Sequence, residues 1–132
     1  MRVTAHREPW DVASTVRVEV ERSRAPVAQC AQIARSWRQR MVGLLAHDAL
    51  PSDEALIFPG CNSIHTFGMR FPIDVIFVNR EWRVVAVREG LLPGRLVLPV
   101  RRAWGVVEAA CGTLKRVNLR VGDRLVVVSG TA

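Results

Sequence analysis

A chain of 132 residues with 49% hydrophobic and 23% charged side chains is sized and balanced for one globular domain with one core, which excludes a disordered or fibrous protein. The net charge of +7 raises contact with nucleic acid or another acidic partner. Arginine supplies all but one of the 19 cations, scattered from Arg2 to Arg124 without interleaved stacking aromatics, so the pattern favours an arginine-rich solvated surface over a nucleic-acid platform.

Residues 1–14 are polar and lack a clear period, and are expected to form a loose lead-in to a single compact domain over residues 15–132. Thr15 to Glu21 alternates apolar and charged side chains, the mark of a strand with one face in water. Val27 to Ala34 is open between a strand and an early helical turn. Ser36 followed by Gln39 forms a capping-box pattern, and Trp37, Met41, Leu44 and Leu45 then share one face, so the principal helix is expected to start at Trp37. Gly43 inside that helix hints at a close backbone approach. Ala55 to Phe58 reads as a short strand closed by Pro59-Gly60. Ile73 to Val78 is apolar on both faces apart from Asp74, as in a central buried strand, and turns at Asn79-Arg80-Glu81 into a partner strand over Trp82 to Val87. Leu91 to Pro99 contains Pro93-Gly94 and reads as a crossing loop. Trp104 to Ala110 is a further strand, Thr113 is expected to cap a short helical turn, and Arg124 to Ser129 is the last strand. The fold class that results is α+β, a small, mostly antiparallel barrel or half-barrel sheet with one principal helix.

The start of the chain lacks a secretory signal's apolar core, and no apolar run approaches the ~20 residues of a membrane helix. Cys30, Cys61 and Cys111 are too widely spaced for a disulfide framework or a zinc knuckle. A cytoplasmic protein with reduced thiols and no membrane partner is therefore expected.

The segment from Cys61 to Asp74 gathers a thiol, an imidazole, a thioether and a carboxylate. On a helix, Cys61, His65 and Met69 would share one face, but Pro59-Gly60, Gly68 and Pro72 argue for an extended or looped path. Cys61 and His65 would then stand roughly 13 Å apart along the strand, too far for a nucleophile and its base and unsuited to a shared metal, so no metal and no cofactor is expected. Asp74 must be paired, hydrogen-bonded or neutralised. It either anchors a turn by accepting backbone N–H groups or an arginine, or acts as a pocket carboxylate beside His65. Glu108 poses the same question, and the two acids could point into one cavity.

Three segments then resemble the family called domain of unknown function 192: Arg40-Met41-Val42-Gly43-Leu44-Leu45, His65 through Val78, and Gly122-Asp123-Arg124-Leu125. The resemblance runs from about Val16 to Val128. It implies a single compact α+β domain with a barrel-like sheet, and brings no catalytic assignment. Family members occur with and without export signals, and this chain resembles the second kind.

The leading functional reading is a small non-enzymatic binding or accessory domain for a ligand or protein partner, with a cleft lined by Arg40, His65, Met69, Asp74 and Glu108. The alternatives are an enzyme or metal-dependent site using His65 and Asp74 with Cys61, and a basic module contacting nucleic acid.

Overall fold

The computed structural model describes residues 15–34 and 49–129. Among the described residues, nine strands and one short helix follow in chain order: β1 (Thr15–Val20), β2 (Pro26–Ile33), β3 (Glu54–Pro59), β4 (Ile64–His65), β5 (Ile73–Val78), β6 (Val84–Leu91), β7 (Leu96–Val97), β8 (Gly105–Ala110), α1 (Thr113–Val117) and β9 (Leu125–Ser129). Seven strands form one sheet in the order β6-β5-β8-β3-β2-β1-β9, and β4 and β7 form a separate two-stranded ribbon. Every pairing is antiparallel except that of β2 with β3.

The sheet curls until its two edge strands meet at one corner. Arg83 bridges to Arg124, and the amides of Val84 and Leu125 donate to the carbonyls of Asp123 and Trp82. The loop entering β9 is clipped by Arg22, whose guanidinium donates to both carboxylate oxygens of Asp123 at 3.1 and 3.0 Å and to the Asn118 carbonyl at 3.0 Å. The result is a half-barrel, since strands of right-handed twist accumulate curvature until an edge can be covered.

Two apolar clusters occupy the two faces. The inner one takes side chains from every strand of the main sheet, including Val18, Val27, Ile57, Ile76, Val84, Val107 and Leu125, and is closed by Leu114 and Val117 of α1. The outer one packs Leu56, Ile73, Val75, Phe77 and Val106 under Ile64, Met69, Phe71 and Val97. The period of two in β5 and β8 divides their side chains between these cores, which is why both strands are buried at all six positions.

β1 keeps the expected alternation: Val18 and Val20 enter the inner core, while on the opposite face Glu19 is covered by ion pairs to the part-exposed Arg17 at 2.8 Å and Arg24 at 2.9 Å. The Val27 to Ala34 segment is a strand. Thr113 is not the cap of α1: Gly112, at φ 97, occupies that position without a side-chain cap bond. The Leu91 to Pro99 loop is shorter than expected, because β6 continues through Leu91 and Leu96–Val97 pairs back onto β4. The helix expected from Trp37, with Gly43, lies outside the described residues, as does the 1–14 lead-in. No described helix is long and apolar enough to cross a membrane.

Candidate functional site

The Cys61 to Asp74 segment contains no helix. It runs extended through β4, turns at Thr66 to Met69, where the Met69 amide donates to the Thr66 carbonyl at 3.2 Å, and enters β5. Gly68 takes φ 84 in that turn, a conformation that costs a residue with a Cβ. The potentially reactive side chains are consequently dispersed. Met69 is buried in the outer core and Cys61 packs against it half-buried, whereas His65 is half-buried on the ribbon. There its Nδ1 accepts the Phe67 amide at 3.3 Å and its ring stacks on Phe67 at 4.9 Å. Among the described residues no group of three His, Cys, Asp or Glu could hold a metal ion.

Asp74 is 0% exposed and its carboxylate accepts three backbone N–H groups: Gly90 at 2.8 Å on Oδ1, and Gly112 at 3.1 Å and Leu114 at 2.9 Å on Oδ2. It thus ties β5 to β6 and supplies from a distant strand the acceptor that the start of α1 lacks in its own cap residue. Of the two readings of this acid, the geometry is that of the anchor.

Strand register decides whether Asp74 shares a cavity with the other candidates. Asp74 stands opposite Ala109, and Glu108 opposite Val75 and Leu56. Directly opposed residues point to the same face and consecutive ones to opposite faces. Asp74 therefore projects into the inner core with Ala109, and Glu108, 1% exposed, into the outer one with Val75. The sheet lies between the two acids. It also separates Asp74 from His65, whose ribbon covers the outer face through Ile64 and Val97. The expected cleft uniting His65, Asp74 and Glu108 is not formed, and Arg40 lies outside the described residues.

An open concavity of about 570 Å³ lies instead on the outer side, along Arg95 to Arg101 and bounded by Arg88 and Leu91 of β6. Leu96 and Leu98, 59% and 70% exposed, supply its apolar surface. Leu96 is paired with His65, so the His65–Phe67 stack adjoins the groove on the ribbon's outward face. Thr66 fixes this arrangement: its buried hydroxyl donates to the Leu92 carbonyl at 2.7 Å and accepts the Arg95 amide at 2.8 Å. Among the described residues, Arg88, Arg95 and Arg101 have no carboxylate partner. In the sequence this stretch reads only as a crossing loop, and the exposure of its leucines emerges from the structure; the function of Thr66 left no local signal either, since its partners are 26 and 29 residues away.

The family model DUF192, described as "Uncharacterized ACR", matches residues 17–127. The chain belongs to the DUF192 family. Over 63 residues it is 41% identical to a UPF0127 protein of Pyrococcus furiosus and 38% identical to one of Pyrococcus horikoshii, 48% of this chain in each case and 53% or 54% of the relative. The chain thus spans about half the length of the curated relatives it matches. Two crystal structures share the fold. One, from Sinorhizobium meliloti and provisionally named a transcription regulator, has a TM-score of 0.71 at 21% identity over 86% of this chain and 92% of that one. The other, a protein of unknown function from Novosphingobium aromaticivorans, has a TM-score of 0.69 at 23% identity over 85% and 83%. The DUF192 family is described as uncharacterised, so the match transfers a fold and no reaction.

Within this DUF192 domain, the motif residues that carry the resemblance have physical duties. Thr66 ties the ribbon to the 92–95 turn, Gly68 makes a left-handed turn, Phe71 fills the outer core and Asp74 anchors α1. Asp123 and Leu125 hold the corner where the half-barrel meets.

Proposed function

We propose that this DUF192 domain is a small cytoplasmic, non-enzymatic binding or accessory domain whose recognition surface is the outer groove along Arg95 to Arg101. The observation that carries the reading is the composition of that concavity: exposed leucines for an apolar body, and arginines without carboxylate partners among the described residues for an anionic group. The three cysteines, all free, suit a reducing compartment. Asp74 takes no part in recognition, being consumed by three amides. His65 and Phe67 border the surface.

The test uses 8-anilinonaphthalene-1-sulfonate, an apolar anion. The native chain is expected to bind it saturably with a rise in fluorescence. The Leu96→Asp/Leu98→Asp variant should bind about tenfold more weakly, from lost apolar burial and added negative charge, with an unchanged near-ultraviolet circular dichroism spectrum. Equal binding by the two folded proteins would overturn the reading.

A further inference from the structure

Among the described residues, no strand pairs with β7 on the side away from β4. The Thr66 amide donates to the Arg95 carbonyl, and the Arg95 amide to the Thr66 hydroxyl. Two residues on, Ile64 is paired with Val97, and beyond that the Val100 amide donates to the Asn62 carbonyl. In an antiparallel pair, alternate residues turn their N–H and C=O toward the partner strand and the intervening ones turn them away. With Arg95 and Val97 facing β4, the backbone groups of Leu96 face outward, along the groove, and the Val100 bond to Asn62 shifts the register beyond Val97. The side chains of Leu96 and Leu98 are exposed and that of Val97 is buried in the outer core, as the pleat requires.

From this edge and the charge beside it we infer that the groove takes an extended acidic segment of a partner protein, added as a strand alongside β7. The inference rests on the groove reading above and names its occupant. An added strand satisfies the outward N–H and C=O groups of Leu96, a source of affinity that does not depend on the partner's side chains. Apolar side chains at every second position of the segment lie against Leu96 and Leu98. Carboxylates at the intervening positions and flanks meet Arg88, Arg95 and Arg101, in a groove whose described lining contains no acid. Guanidinium groups suit planar carboxylates, with which they form paired hydrogen bonds, and the net charge of +7 draws in an acidic partner from a distance. The same charge opposes a second copy of this chain at the site. A bilayer would cover the leucines but supply no matching row of donors and acceptors to the strand edge.

The test measures binding of a fluorescent, acetylated heptapeptide alternating Glu with Leu or Val. Four comparison probes are used: the same peptide with Lys for Glu, two forms of the acidic peptide N-methylated at alternate backbone nitrogens, one in each phase, and vesicles of phosphatidylcholine with phosphatidylglycerol. The acidic peptide is expected to bind saturably and to weaken as salt rises. The Lys peptide should bind at least about tenfold more weakly. One phase of N-methylation should abolish binding while the other leaves most of it. Arg95→Glu/Arg101→Glu should reverse the preference between acidic and basic peptides with the fold unchanged by circular dichroism. Equal binding of both N-methylated peptides and the parent would overturn strand addition. If 8-anilinonaphthalene-1-sulfonate binds through Leu96 and Leu98 but no peptide does, the occupant is wrong and the groove reading stands. Preferential uptake on the anionic vesicles would replace the peptide with a membrane surface, and failure of both dye and peptide would remove both readings.

Discussion

Asp74 shows how one buried charge can organise three elements. Its oxygens accept amides from the end of β6, the cap of α1 and the first turn of that helix, so replacing it leaves several buried donors without their acceptor. Asp74→Asn keeps the shape but turns an amide NH2 toward those donors, and is expected to cost about 3 kcal/mol, read as a fall in Tm of roughly 10 °C; melting with the native protein would contradict the anchor. This need for partners was legible in the sequence because an acid in a strand apolar on both faces must be paired, although the identity of the partners was not. Asp123 gives a pH signature. Hydrogen bonds from Arg22, helped by the Arg120 amide, hold its carboxyl below its ordinary value of 3.8 against partial burial. A carboxyl held lower when folded stabilises the fold above the unfolded value, and that contribution is lost as pH falls through the folded one. Urea denaturation of native protein and Asp123→Asn should therefore differ at pH 7 and converge progressively below about pH 3.8. Among the thiols, Cys111 is exposed and Cys30 and Cys61 are half-buried. A maleimide at neutral pH is expected to label Cys111 first, by access, and faster modification of Cys61 would indicate an activated thiol that this structure does not explain.

Elements were legible where their signal was local. The alternation in β1, the two-sided apolar run of β5 and its hairpin to β6 all appear in a window of a few residues. The strand β2 was ambiguous because its Ala and Gln favour helix; lying between β1 and β3 decides it by tertiary pairing and burial rather than by propensity. The strand β7 was not legible, since it contributes two residues and exists through pairing with β4 more than 30 residues earlier. Thr66 links the two. Thr66→Val removes a buried donor and acceptor, and is expected to cost about 2 kcal/mol. The effect should be concentrated in the ribbon, with faster hydrogen exchange at Arg95 and Gly94 and little change in the β5–β8 pairing. Uniform acceleration across the domain would mean that the ribbon is part of the global core.

At the scale of the molecule, the half-barrel followed from many short strands and little helix, and the comparisons place the chain in the DUF192 family. The distribution of functional candidates between faces did not follow, because Asp74 and Glu108 look alike in sequence, each an acid among apolar strand residues. Only the register of β5 on β8 shows that a sheet separates them, leaving the inner side as sealed core and the outer side as the face with an open groove. Amide chemical-shift mapping during titration with 8-anilinonaphthalene-1-sulfonate tests this division most directly. The shifts expected lie at Arg95 to Arg101 and at His65 to Phe67, with the amides of Gly112 and Leu114, held by Asp74, unmoved. Saturable shifts centred on Gly112 and Leu114, with the groove silent, would contradict it.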